Sequence, residues 1–212
     1  MPEEQSIEQE LEQTVKKSET IIDKTIDFLF SNNPKKWLLL IVLLGGILRF
    51  FLANNISALG DEMVHGPHII GFLNSGLIST IAHSPLWFYL GDLVFQVLPV
   101  TMFTVRFLSF FYGIMTIIVI YLLGAKIFNK KIALLGSFFL AVSFFTIRYT
   151  LAEMDLAAIF FLITAVYLFL LAHEKNKFPY MAAICIGIAS LIKTLALFFV
   201  PAFLFAFFIF KK

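Results

Sequence analysis

Apolar residues in this chain come in long uninterrupted runs rather than in stripes. Trp37 to about Ala53, Arg106 to Ile127, Ile132 to Ile147 and Leu156 to Ala172 each read as a helix of the length that crosses a hydrocarbon core of roughly 30 Å. A fifth run, Tyr180 to Phe210, is long for one such helix and tight for two, and a break at Lys193-Thr194 would fold it into a helical hairpin. Ahead of these, residues 1 to 30 carry Ile7, Leu11, Val15, Ile22, Ile26 and Leu29 close to a heptad stripe among Glu, Gln and Lys. So few heptads favour a surface helix at the membrane interface, or a polar tail, over a coiled coil. Asn33 then reads as a helix N-cap with Pro34 at the first helical position, and Trp37 marks the interface where the first span begins.

Between the first and second spans, Asn54 to about Thr104 is too polar to be two spans and too apolar to be plain loop. Its glycines, prolines and histidines divide it into short pieces. Two pieces are expected to be helices lying in the interface, about Glu62 to Leu73 and Pro85 to Leu98, the second anchored by Trp87, Phe88 and Tyr89. The fold class is therefore all-α, multi-pass transmembrane, with about six spans. An acidic N-terminal segment, residues 1–33, precedes the membrane core, residues 34–212.

Composition agrees with this pattern. Of 212 residues, 60% are hydrophobic and only 14% charged, and the mean hydropathy of +0.92 excludes a soluble domain of this size. Eight of the fourteen acids lie in the first 33 residues, beside three lysines, so the membrane core is basic. That split speaks for a membrane protein with an acidic tail and against a nucleic-acid partner. A cleavable leader would begin its apolar run at once, so the N-terminus is expected to be retained. The single cysteine, Cys185, sits in an apolar run and forms no intramolecular disulfide.

Charge placement sets the orientation. With the N-terminus in the cytoplasm, Lys35, Lys36, Lys126, Lys130, Lys131, Lys175, Lys177, Lys211 and Lys212 all face the cytoplasm, and six spans satisfy every one. The outer face then receives Asp61, Glu62, His65, His68, His83, Asp92, Arg148, Glu153, Asp155 and Lys193. Ionisable groups at a membrane boundary are costly unless solvated or paired, so a set drawn from separate loops suggests a shared polar cavity.

Each member has an ordinary reading as well. Asp61 and Asp155 stand where helices begin and could act as N-caps. Glu153 and Asp155 would point apart on one regular helix, and serve one site only if the helix starts at or after Asp155. Arg106, Arg148 and Lys193 lie near outer ends of spans, where a cationic side chain commonly reaches for headgroups, or could equally neutralise a phosphate. Glu62-x-x-His65-x-x-His68 straddles Gly66-Pro67 and is no zinc-hydrolase signature.

Taken in order, several short motifs resemble the GT-C class of membrane glycosyltransferases, in the group related to protein O-mannosyltransferases and the lipid A aminoarabinose transferase. They are Asp61-Glu62, His83-Ser84-Pro85-Leu86 followed by Trp87-Phe88-Tyr89, Arg106-Phe107-Leu108-Ser109, Glu153-Met154-Asp155, and a Gly-containing span from Gly187 to Lys193. The likeness runs from about Trp37 to the C-terminus. Ser84 replaces a proline of the family motif. Family members usually continue through several more spans, so the chain is expected to be incomplete at its C-terminal end.

The resemblance implies transfer of a sugar from a polyprenyl-phosphate donor to a hydroxyl of a protein, lipid or glycan acceptor, on the outer face of the cell membrane. It implies Asp61 as the base, with Glu62 and Asp155 beside it. His83, Arg106, Arg148, Glu153 and Lys193 are implied on substrate, the cations against the phosphate. Glu153-x-Asp155 also resembles an acidic pair that binds a divalent cation in the wider class. A small transporter or flippase subunit would instead need a midplane site and repeated halves, and no internal repeat is present. A non-catalytic assembly partner is the third reading.

Overall fold

The computed structural model describes residues 33–75 and 85–210, and every regular element among them is helical. The acidic N-terminal segment and His83 lie outside the described residues.

Helix α1, Pro34–Asn55, starts as its sequence predicts: the Asn33 side chain accepts from the Lys36 amide at 3.3 Å and Pro34 opens the helix. It buries the i, i+4 row Ile41, Gly45, Arg49 and Ala53, while Leu39, Leu43, Ile47 and Phe51 face outward. An exposed apolar row is what a lipid-facing surface requires. Helix α2, Glu62–Ser75, and α3, Leu86–Val97, occupy the two pieces expected between the first spans.

Helix α4, Met102–Ile127, opens on a reciprocal cap: Thr101 Oγ1 accepts from the Thr104 amide and Thr104 Oγ1 from the Thr101 amide. Helix α5, Lys130–Val142, follows after two residues, with the Asn129 carboxamide accepting from the amides of Lys131 and Ile132, each at 3.0 Å. A short helix α6, Phe144–Arg148, leads to α7, Asp155–Glu174. Helix α8, Tyr180–Ile192, ends at Lys193, and after a 3₁₀ turn, Thr194–Phe199, α9, Val200–Phe210, runs back along it. Phe203 meets Phe169 at 6.2 Å and Phe207 meets Phe178 at 5.2 Å between ring centres, so the expected hairpin at Lys193-Thr194 forms.

Among the described residues three helices, α1, α4 and α7, are long and apolar enough to cross a membrane. The run Ile132 to Ile147 is not one continuous helix: it breaks at Ser143, whose backbone turns extended. Lysines stand at the start of α1 and at or just past the ends of α4 and α7, which sorts the chain into two ends. A lysine end holds Lys35, Lys36, Lys126, Lys130, Lys131, Lys175 and Lys177, and Lys126 pairs there with Glu174 to tie α4 to α7. The other end holds the turns before α2 and α7.

That second end has its own core. Ile69, Trp87, Phe88, Phe95, Val105, Leu108, Met154 and Ile192 bury one another, joining α2 and α3 to α4, α7 and α8. Trp87 and Phe88 are consequently interior, at 0% and 2% exposure, and only Tyr89 of the expected aromatic anchor is exposed. The run Trp-Phe-Tyr is dictated by packing because each of its first two rings fills the space between α2 and α4.

Close approach of α1 to α4 and α5 depends on Gly45, where an added Cβ would lie 2.6 Å from Ile117 Cδ1 and 3.1 Å from Ala141 Cβ. At the neighbouring Gly46 the nearest atom is 3.5 Å away. Gly45→Ala should therefore destabilise the protein by about 1–3 kcal/mol through overpacking, with Gly46→Ala near neutral. Thermal unfolding in one detergent measures both.

Candidate active site

The site begins at the turn before α2. Gly60 adopts φ +63°, a left-handed conformation that costs glycine nothing, and it sends the chain sharply into Asp61-Glu62. Glu62 turns inward. Its carboxylate accepts from Arg106 Nε at 2.5 Å on one oxygen and from Arg106 Nη2 at 2.7 Å on the other. Arg106 Nη1 donates to the carbonyls of Ala53 at 2.6 Å and Ile56 at 2.9 Å, the open end of α1. Both side chains are buried, at 2% and 0% exposure. Losing either partner would strand a buried charge, at a cost of about 3–5 kcal/mol. One guanidinium thus fastens the end of α1, the start of α2 and the head of α4 together, and leaves the adjacent Asp61 exposed at the surface.

The second wall comes from the segment between α6 and α7. Thr150, Leu151 and Ala152 are buried, and Ala152 holds φ +54°, a region that costs a residue with a Cβ roughly 1–2 kcal/mol. Its carbonyl lies 3.4 Å from His65 Nδ1 of α2. The next carbonyl, that of Glu153, accepts from Ser109 Oγ of α4 at 2.9 Å. These contacts hold the backbone on both sides of the strained residue, so the Glu153 side chain leaves the wall in a fixed direction. Helix α7 starts at Asp155, with Met154 at the cap position, so Glu153 lies outside the helix and can serve the same site as Asp155.

Asp155 pairs with Lys193 at 2.5 Å, bringing in the break after α8, and both groups are about a quarter exposed. Arg148, exposed at the end of α6, lines a small cavity of about 50 Å³ with Leu59, Tyr149, Leu151 and Glu153.

Glu153 reports how near these charges are. Its carboxyl is pushed up from 4.5 to about 7, chiefly by burial and then by the negative charges of Asp61 and Asp155, while Lys193 and Arg148 act in the opposite direction. Two further carboxylates and two cations therefore act on Glu153 at the end opposite the lysines. Glu153 is thereby pushed toward its neutral form, which eases repulsion among the three acids.

Of the residues expected from sequence, Asp61, Glu153, Asp155, Arg148 and Lys193 converge. Glu62 and Arg106 do not join them. Expected as a catalytic carboxylate and a substrate-binding cation, they are enclosed and engaged with each other and with backbone carbonyls, which leaves no face for a ligand. Asp61 caps α2 with its carbonyl, which accepts from the His65 amide at 2.8 Å. Asp155 is the first helical residue rather than the cap. Glu62, His65 and His68 form no metal site, and among the described residues no three His, Cys, Asp or Glu side chains are arranged to hold an ion.

Two residues escaped the sequence reading. Ala152 carries no signal, because an alanine at positive φ looks like any other. Arg49 did carry one: it is a charge embedded in an apolar run. It is wholly buried, donating from Nη1 to Gly45 and Ala141 carbonyls and from Nη2 to the Leu140 carbonyl and Thr146 Oγ1.

Comparisons with curated proteins and with solved structures give no match. The sequence profile of the dolichyl-phosphate-mannose-protein mannosyltransferases does match, over residues 82–212, a span that includes Arg106, Ser109, Arg148, Glu153, Asp155 and Lys193. With its all-α membrane fold and a matched region covering more than half its length, the chain belongs to the dolichyl-phosphate-mannose-protein mannosyltransferase family, membrane glycosyltransferases of the GT-C type.

Proposed function

We propose that the protein transfers a sugar from a polyprenyl-phosphate donor to a hydroxyl of a protein acceptor, at the carboxylate and cation cluster, on the side of the membrane opposite the lysine end. The observation that carries this reading is the convergence of Asp61, Glu153 and Asp155 with Arg148 and Lys193 where spans meet the interface. A lipid-linked phosphate presents its headgroup at that level. Lysines gathered at the other end favour a cytoplasmic placement there and an outward-facing site.

The chemistry needs a proton acceptor and a place for a leaving phosphate. Asp61, exposed and fixed by its neighbour Glu62, takes the proton of the acceptor hydroxyl as its oxygen bonds to the anomeric carbon. The bond from that carbon to the phosphate oxygen breaks with its electron pair going to the phosphate. Arg148 and Lys193 face the charge that develops there, a role in which preorganised cations stabilise the transition state more than the ground state. Asp155 holds the Lys193 ammonium in place. Glu153, whose carboxyl is pushed up to about 7, donates a hydrogen bond to substrate in its neutral form. His83 joins the donor side by its match to the family motif. Arg106 and Glu62 act only through position.

Reconstituted protein should transfer radiolabelled sugar from polyprenyl phosphate, and Asp61→Asn should lower that rate by about 10²–10⁴-fold with insertion unchanged. Undiminished transfer in the variant would remove Asp61 as the proton acceptor.

Glu153 supplies a second check. Its carboxyl titrates near 7, so the neutral donor form is present below that pH and lost above it. Asp61→Asn removes a repulsive charge and should lower the midpoint, whereas Arg148→Gln removes an attractive one and should raise it. Carboxyl infrared bands of glutamate-labelled protein, titrated in detergent, report both shifts.

A further inference from the structure

Arg49 stands about 22 Å along α1, and the break at Ser143 stands about 20 Å along α5, so both lie inside the hydrocarbon layer at one depth. Broken backbone at that depth must be satisfied by protein, because lipid offers no hydrogen bonds. The Leu140 and Ala141 carbonyls lie on the last turn of α5, and they are the groups to which the Arg49 fork donates, at 3.3 and 3.0 Å. The same fork reaches across the break to Thr146 Oγ1 of α6 at 3.2 Å, and Thr146 Oγ1 donates back to the Leu140 carbonyl at 2.8 Å.

Nothing acidic balances this charge among the described ion pairs, and Arg49 Nε has no hydrogen-bond partner. Two glycines make room for the side chain: an added Cβ would come within 3.2 Å of Nη1 at Gly45 and 3.0 Å of Nε at Gly113. A costly buried cation in a tailored sleeve, with its donors directed to both sides of one helix break, fixes the angle at which α6 leaves α5. Helix α6 is five residues long and ends at Arg148.

We infer that Arg49 is a positioning residue, a latch across the Ser143 break that sets α6 and so delivers Arg148 and Tyr149 to the cavity beside Glu153. The inference rests on the reading of Arg148 as a ligand of the donor phosphate, but the contact it predicts exists with or without transfer. Planar geometry is essential to it. A lysine at position 49 keeps the charge yet cannot span Ala141, Leu140 and Thr146 at once.

The test uses full-length protein in membranes, with Tyr149→Cys in a Cys185→Ser background, and reads labelling of the single introduced thiol by a membrane-impermeant maleimide. Arg49→Lys should raise the labelling rate severalfold as α6 loosens. In the parent background it should also raise the Glu153 titration midpoint as Arg148 withdraws, a shift that direct loss of charge cannot explain because the charge is retained. Thr146→Val, which removes one acceptor and little volume, should move both readouts in the same direction by less, and decides the matter if Arg49→Lys fails to insert. Unchanged labelling and an unchanged midpoint in the inserted variants overturn the latch, whatever the transfer assay gives.

Discussion

Arg106 and Glu62 form the contact on which the rest of this end of the molecule depends. A guanidinium at the head of one span would ordinarily reach for headgroups. Here it is drawn inward by a carboxylate at the start of α2, more than forty residues earlier, and by carbonyls at the end of α1. Breaking up such a pair is far costlier than forming it is rewarding, because a lone buried charge has no other refuge. The fork therefore specifies an arrangement more than it adds stability, and what it specifies is the position of Asp61.

Ser109, one turn further along α4, fixes the other wall by holding the Glu153 carbonyl. A single face of α4 thus carries both attachments: the arginine to the turn before α2, and the serine to the turn before α7. The Arg-x-x-Ser spacing has a physical reason in this, since residues three apart on a helix point to the same side. Arg49 obeys related logic deeper in the membrane, where a cation satisfies backbone carbonyls that lipid cannot. In both cases arginine, with its rigid fork of donors, joins helix ends that no hydrophobic contact could orient.

Long features were legible in the sequence because they rest on bulk solvent preference. The spans at α1, α4 and α7, the cap at Asn33, the two short helices before α4 and the break at Lys193 all follow from runs of apolar residues and their interruptions. The charges near the membrane boundary could be noticed too, since they are rare there. What could not be read was the division of labour. Glu62 looks like Asp61 on the page, and only the geometry separates an exposed carboxylate from an enclosed one. Trp87 and Phe88 have the composition of an interfacial belt, but the core between α2 and α4 claims them. The break at Ser143 leaves no proline or glycine to mark it, and the side chain that bonds across it, Arg49, is nearly a hundred residues away.

The family of membrane mannosyltransferases sets the chemistry, and the fork and the serine account for how this chain assembles the groups for it. Asp61 acts electrostatically on Glu153 from beside the pinned Glu62. The direct measurement is the Glu153 titration in a protein where the fork is replaced by apolar residues of similar size, Glu62→Leu with Arg106→Met, which removes both charges and leaves neither stranded. Release of Asp61 should drop the midpoint below about 7 while burial keeps it above the ordinary glutamate value. A folded, inserted double variant whose Glu153 still titrates at about 7 would contradict the claim that the buried fork holds the site together.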